Sequence, residues 1–145
     1  GDVYKRQNWD GGNDSSKDTN KTAVSVKNKK GTATYTVTLK NKKSKNQPAQ
    51  VFYIDIKNIL KDHSAKKIKI SGVSVKCDGK TVSGMKAVAT GQLEKKEDPN
   101  KYRISIYNRV GNKQNGDKTA GYAASYGKKF KFKKSISVTF KVTIK

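Results

Sequence analysis

The sequence contains few of the residues from which catalytic and metal sites are built. Its 145 residues include one histidine, His63, and one cysteine, Cys77, and the only glutamates are Glu94 and Glu97. A zinc site requires three or four histidine or cysteine ligands, and glycoside hydrolysis requires two carboxylates on either side of a sugar. Glu94 and Glu97 lie three residues apart in one charged loop, and no serine sits in a nucleophile elbow. We therefore expect a protein that is not an enzyme and that has no cofactor and no metal site.

Long apolar segments and paired cysteines are also missing. No apolar run is long enough to cross a bilayer, so no membrane span is expected, and the single Cys77 excludes a disulfide within the chain. Cys77 follows Val73 and Val75 at a spacing of two, which places it on the apolar face of a strand and favours a buried, unreactive thiol. Only 32% of the residues are hydrophobic. The core must therefore come from elements with one buried face, which antiparallel strands supply.

The charge is strongly positive but contains little arginine. The net charge is +22, and arginine occurs only at Arg6, Arg103 and Arg109. Proteins that read nucleic acid rely on the planar guanidinium, whereas lysines at alternate strand positions indicate a solvated face that opposes edge-to-edge aggregation. We therefore expect no specific nucleic-acid partner. Electrostatic binding of polyanions, whether nucleic acid or teichoic-type polymers, remains an alternative function.

The first twenty residues have the character of added and linking sequence. Residues 1–7 contain DVYKRQ, which resembles the translation of a transposase adaptor from sequencing libraries and indicates a metagenomic read that begins inside a longer reading frame. Residues 8–20 (NWDGGNDSSKDTN) have linker composition. We expect this linker to have joined the sandwich, residues 21–145, to an upstream catalytic domain.

Short strands with two-residue alternation follow one another through residues 21–145. The clearest are ATYTVTLK at 33–40, VFYIDIK at 51–57, YRISIYN at 102–108 and the terminal run at 136–144. Asp78-Gly79 is a hairpin-turn signal, Asn58–His63 predicts one helical turn, and the glycine-containing segment 110–126 predicts a flexible loop. Seven to nine such strands predict an all-β protein, an antiparallel two-sheet β-sandwich of the immunoglobulin or jelly-roll kind.

Aromatic residues at predicted outward positions form a candidate sugar-binding surface. Sugar rings expose C–H groups that pack on aromatic planes, and nearby planar polar groups bond their hydroxyls. The predicted binding residues are Tyr53 and Asp55 on one strand, Arg103 and Tyr107 on another, Tyr122 and Tyr126 in the glycine-containing loop, and Trp9 in the linker. The alternative for Tyr53 and Tyr107 is that they are amphipathic strand residues without a ligand.

The order of several segments resembles a known family. TATYTVTLK, VFYIDIKNI, ISGVSVKCDGK, YRISIYNRVGN and ISVTFKVTIK follow one another as in C-terminal modules of secreted plant-cell-wall hydrolases from gut clostridia. Residues 23–145 resemble carbohydrate-binding modules of the family 37 kind, most distinctively in Tyr102–Asn108. The resemblance implies a β-sandwich that tethers an enzyme to cellulose, xylan or related polymers, with Arg103, Tyr107 and Asn108 as binding residues. The high lysine content departs from that pattern and favours anionic wall polymers or acidic xylans.

Together these observations predict a secreted, non-catalytic polysaccharide-binding module, extracellular or attached to the cell surface and expected to be a monomer. It would bring an attached enzyme to cellulose or xylan. Two alternatives are an immunoglobulin-like surface or adhesion domain, and the electrostatic binder of polyanions. Salt separates the last from sugar stacking, because binding through counterion release weakens steeply as salt rises.

Overall fold

The computed structural model describes residues 2–11, 20–40, 48–109 and 121–145, with side chains described for 24–40, 48–49, 51–109 and 121–145. These residues contain nine strands: β1 Asp2–Gly11, β2 Asn20–Lys27, β3 Gly31–Lys40, β4 Ala49–Ile56, β5 Ile68–Cys77, β6 Lys80–Thr81, β7 Ala89–Gly91, β8 Tyr102–Asn108 and β9 Ser135–Ile144. The helical elements are short: α1 Ile59–Asp62, α2 Ala124–Gly127, and the 3-10 turns η1 Ala65–Lys67 and η2 Lys128–Phe130.

The strands form two antiparallel sheets. The five-stranded sheet has the order β2-β1-β4-β8-β7, and the four-stranded sheet has the order β3-β9-β5-β6. The chain crosses from one sheet to the other between β2 and β3, between β3 and β4, between β4 and β5, between β6 and β7, and between β8 and β9. The predicted all-β, two-sheet sandwich is confirmed.

Alternation along the strands builds one core between the sheets. In β9 the inward residues are all buried, whereas the residues between them are exposed or half-buried; the inward ones are Ile136, Val138, Phe140, Val142 and Ile144. They join buried residues of β4 and β8, such as Ile54 and Ile104, in a single apolar cluster. Each fully buried aliphatic or aromatic side chain stabilises the fold by roughly 1.5–3 kcal/mol. The sandwich therefore derives its stability from strands that each bury one face in the core.

The predicted turn at Asp78-Gly79 links β5 to β6. Both residues have positive φ, 52° and 81°, which is the backbone of a two-residue hairpin turn. The Asp78 carboxylate also accepts three backbone N–H groups at the start of β9, at distances of 2.9, 2.6 and 3.1 Å, from Lys133, Lys134 and Ser135. Asp78 therefore fixes the hairpin against the strand that runs through the middle of its sheet.

The sandwich includes residues that sequence analysis placed outside it. β1 lies between two strands: it pairs with β2 from Asp2 opposite Lys27 onward, and with β4 from Lys5 opposite Ile56 onward. The expectation that the strands start at residue 21 is therefore wrong. Residues 2–11 show little apolar alternation, yet a sheet ladder uses main-chain groups that any residue except proline supplies. The adaptor origin of residues 1–7 stays a prediction, and residues 12–19 of the predicted linker lie outside the described part.

Candidate binding surfaces

The four tyrosines predicted to bind sugar do not share a surface. Tyr107 is 1% exposed and Tyr126 is 3% exposed, so the prediction that both face solvent is wrong. Tyr122 is 49% exposed, and Tyr53 is half-buried. Trp9 lies in β1, but its side chain is outside the described part of the chain. A platform formed by all four rings is therefore excluded.

A β-bulge turns Tyr107 into the core. Phe52 pairs with Tyr107, but the next residue, Tyr53, pairs with Ser105, so Ile106 is an extra residue in β8. An extra residue shifts the alternation of a strand by one position. Tyr107 consequently faces inward with Phe52, although it lies at an outward position by simple alternation from Arg103.

Tyr126 enters the core from a different element. It lies in α2, where its ring packs 5.1 Å from that of Phe130 and its hydroxyl accepts the backbone N–H of Lys86 at 2.9 Å. Burial raises the pKa of Tyr126 above its usual value. A single helical turn has too few residues to show a period, so this packing has no signal in the sequence.

Glycines allow the two tyrosine rings to pack closely. A Cβ at Gly121 would lie 1.8 Å from a ring carbon of Tyr126, and one at Gly127 would lie 2.8 Å from the ring of Tyr107. The glycine content of this segment predicts a flexible loop. At these two positions the lack of a Cβ instead leaves the space that the aromatic rings occupy. Residues 110–120 of that loop lie outside the described part.

The outer face of the five-stranded sheet carries a compact ion cluster. Arg103 Nε donates to Asp55 Oδ1 at 2.7 Å and Arg103 Nη2 donates to Asp55 Oδ2 at 3.0 Å, and the guanidinium lies 3.6 Å from the ring centroid of Tyr53. Arg103 is 7% exposed and Asp55 is 4% exposed, so the prediction that they face solvent is wrong. Burial disfavours the charged form of Arg103, but the hydrogen bonds and charge of Asp55 outweigh it and raise its pKa.

A buried lysine completes this cluster. Lys101 has no exposed surface, and its Nζ lies 3.1 Å from Glu97 Oε1 and 3.7 Å from Asp55 Oδ2; neither contact has hydrogen-bond geometry. Burial opposes the charged form of Glu97, yet interaction with Lys101 lowers its pKa. Lys57 Nζ pairs with Asp98 nearby at 2.7 Å. The cations Arg103, Lys101 and Lys57 of this cluster are thus each paired with a carboxylate of the same chain.

The strand that carries the family resemblance therefore serves the fold at two of its three implied binding positions. Arg103 is held by Asp55, and Tyr107 is in the core. Asn108 is half-buried at the end of β8, opposite Val51. The structure brings Tyr53, Asp55 and Arg103 together, but it leaves only part of the Tyr53 ring accessible.

The outer face of the four-stranded sheet has a different chemistry. Its strands contain no aspartate or glutamate, and its outward residues are threonine, serine and lysine, exposed or half-buried. Three neighbouring strands align them in rows: Thr32, Thr143 and Lys69; Thr34, Lys141 and Ser71; Thr36, Thr139 and Ser74; Thr38, Ser137 and Lys76. We call these twelve residues the hydroxyl–lysine face.

Hydrogen bonds fix part of this face. The hydroxyls of Thr32 and Thr143 lie 2.9 Å apart, and those of Thr36 and Thr139 lie 2.8 Å apart. Adjacent strands are about 4.8 Å apart, and residues on one face repeat about every 6.6 Å along a strand. On β3 and β9 the hydroxyls and the Lys141 ammonium group therefore form a regular array, and on β5 one extra residue between Ser71 and Ser74 interrupts the repeat. The alternation of threonine with apolar residues revealed the strands, but sequence analysis assigned no binding role to their outer positions.

Cys77 is half-buried at the end of β5. Burial, reinforced by the charge of Asp78, raises the pKa of its thiol to about 12. A thiol is nucleophilic as the thiolate, so this pKa favours the unreactive protonated form at neutral pH. The predicted burial is only partial, and the lack of reactivity stays a prediction.

Comparison of the chain with family models, curated proteins and solved structures gave no match. The family 37 resemblance therefore stays a prediction. Within the described residues, no group of three or more histidine, cysteine, aspartate and glutamate side chains is placed to hold a metal ion. The helices of the described part are all too short to span a membrane.

Proposed function

We propose that this protein is a secreted, non-catalytic module that binds polysaccharide of the plant cell wall, such as cellulose or xylan, for an attached enzyme. The observation that carries the proposal is the hydroxyl–lysine face. Its long strands, β3, β5 and β9, have ten residues each, which corresponds to about 30 Å of extended backbone. An uncovered surface of that length suits a polymer better than a compact ligand.

The chemistry of the face suits a hydroxyl-rich or carboxylated chain. Threonine and serine hydroxyls both donate and accept hydrogen bonds, whereas lysine only donates. The hydroxyls of a glycan can bond to the threonine and serine hydroxyls, and its oxygen atoms can accept hydrogen bonds from the lysines. With no carboxylate in these strands, nothing in the sheet repels an acidic sugar. Single contacts of this kind are weak. A tethered enzyme nevertheless gains, because the module raises its effective concentration at the polymer.

Electrostatic binding of a non-sugar polyanion is the second candidate. The acid-free sheet and the net charge of +22 favour it. Such binding depends on counterion release and falls steeply between low and moderate salt. Hydrogen bonding to a neutral glycan depends on salt much less, so retention on neutral cellulose or xylan at two salt concentrations distinguishes the two.

The deciding experiment is a pull-down on insoluble cellulose and xylan with matched charge variants. The test variant is Lys69→Gln with Lys141→Gln, within the face. Its control is Lys95→Gln with Lys128→Gln, two exposed lysines outside the four-stranded sheet. Both lose two charges, and we expect only the face variant to lose retention.

Three outcomes contradict the proposal. Equal losses in both variants mean that net charge, rather than the face, governs retention. Retention that disappears at moderate salt on every glycan supports the polyanion binder. No retention on any glycan supports a surface or adhesion domain.

A further inference from the structure

A pocket lies beside the turn that leads from β2 into β3. Its volume is about 110 Å³. Lys27, Lys29 and Lys30 of the turn surround it, and its apolar wall includes Tyr35, Val142 and Ile144. We call it the turn pocket. Its position is the side edge of the sandwich, because β2 and β3 are each the outermost strand of their sheet.

A hydrogen bond ties the end of β2 to the tyrosine that lines the turn pocket. The hydroxyl of Tyr35 accepts the backbone N–H of Lys27 at 2.8 Å, and its ring lies 6.1 Å from that of Phe140. Gly31 begins β3 with φ 129°, and a Cβ there would meet nothing within 4 Å. The turn pocket is therefore bounded by the Tyr35 ring on one side and has open space beside Gly31.

The charge of the turn pocket is unbalanced within its own lining. Three lysines line it, and no aspartate or glutamate does among the residues whose side chains the structure describes. The nearby carboxylate of Asp62 accepts a hydrogen bond from Asn28 at 2.6 Å, and the Asn28 oxygen lies 2.6 Å from His63 Nε2. That acid is thus engaged on α1, and the pocket presents a positive rim to an anion.

The shape restricts which anion fits. A ring with exposed C–H groups packs against an aromatic or aliphatic wall, whereas a small inorganic anion makes no use of one. A closed cavity of roughly 150 Å³ holds one benzene ring, so a pocket of about 110 Å³ takes one edge of a sugar ring and leaves the rest of the sugar outside its mouth. Together, the wall and the rim fit a ring that bears a carboxylate.

We propose that the turn pocket binds a uronic acid residue, the carboxylated sugar of acidic polysaccharides, with its carboxylate among the lysines and its ring on the apolar wall. This inference rests on the proposed function and names its substrate class. Thr32 belongs both to the pocket lining and to the first row of the hydroxyl–lysine face. Thr32 therefore lies at the border between the hydroxyl–lysine face and the turn pocket.

The test titrates the protein with methyl glucuronide and, in parallel, with methyl glucoside, while backbone amide shifts are followed by NMR. We expect the glucuronide to shift amides of residues 27–35 and the glucoside to leave them unchanged. Lys29→Gln with Lys30→Gln should weaken glucuronide binding roughly tenfold, since exposed ion pairs contribute up to about 1 kcal/mol each. Lys95→Gln with Lys128→Gln removes the same charge elsewhere and should have no effect.

The results separate this inference from the proposed function. Retention on xylan without any glucuronide shift at residues 27–35 overturns the turn pocket and leaves the module intact. Inorganic phosphate that binds the same amides as tightly as the glucuronide overturns the sugar assignment, because only the lysines would then matter. Loss of all polysaccharide retention, with residues 27–35 still responding to glucuronide alone, contradicts the proposed function and keeps the pocket.

Discussion

Tyr107 and Tyr126 pack edge to face inside the sandwich, with ring centroids 6.0 Å apart and planes at 84°. Phe130 contacts both rings, at 6.3 and 5.1 Å, and Phe52 contacts Phe130 at 5.5 Å. Aromatic pairs in this arrangement add about 0.5–1.5 kcal/mol beyond the burial of their area. Two tyrosines that sequence analysis gave to a ligand therefore stabilise the fold instead.

The first prediction concerns these tyrosines. Tyr107→Ala should lower the free energy of unfolding by about 3–5 kcal/mol, because it leaves a cavity in the aromatic cluster. Urea denaturation followed by circular dichroism measures the change. Tyr122→Ala is the control, and we expect it to stay within about 0.5 kcal/mol since Tyr122 is exposed. Unchanged stability of the Tyr107 variant would show that its ring does not belong to the core.

The second prediction concerns the ion cluster of the five-stranded sheet. Asp55→Ala should destabilise the protein by about 3–5 kcal/mol, because it leaves the buried cations Arg103 and Lys101 without their shared carboxylate. Asp98→Ala removes the more exposed ion pair with Lys57 and the hydrogen bond that Asp98 Oδ1 accepts from the Asn100 N–H, and it should cost less, about 1–2 kcal/mol. Urea denaturation compares the two variants. Equal losses of stability would contradict the burial of Asp55 and its cations.

Arg103→Lys tests the geometry of the same cluster. Lysine keeps the charge, but it has neither the two-pronged donor set nor the plane that stacks on Tyr53. We expect a clear loss of stability. A variant as stable as the original would mean that charge alone matters there.

The third prediction is a pH dependence that arises from Asp78. Backbone N–H groups of Lys133 and Lys134 hold the pKa of Asp78 below its usual value. A carboxyl group with a lowered pKa in the folded state stabilises the protein above the pKa of the unfolded state, about 3.9. That contribution is lost as the pH falls through the lower, folded-state value.

Urea denaturation of the original protein and of Asp78→Asn between pH 7 and pH 2 measures this contribution. The variant should be less stable at pH 7, and the difference should shrink below about pH 4. The comparison isolates Asp78 from other carboxyl groups with lowered pKa, such as Asp98. A difference that is constant with pH would contradict the role of the ionised carboxylate.

Much of the fold was predictable because its signals are local. The period of two in β3 and β9 follows from the pleat of a strand, in which neighbouring side chains face opposite sides. The strand β8 spans Tyr102–Asn108 as predicted. The Asp78-Gly79 turn and the helical turn at Ile59–Asp62 depend equally on neighbouring residues. β1 and the three-residue β7 were missed, since their pairing comes from adjacent strands and not from their own pattern.

By itself the sequence determined which residues alternate, how much positive charge the chain carries and where the Asp78-Gly79 turn falls, because these depend on neighbours along the chain. Only the tertiary structure decided which outward residues stay in solvent. One extra residue at Ile106 reversed the direction of Tyr107, and pairing across two strands buried Asp55 with Arg103. The threonines and lysines of β3, β5 and β9 became one face because the sheet set them in register.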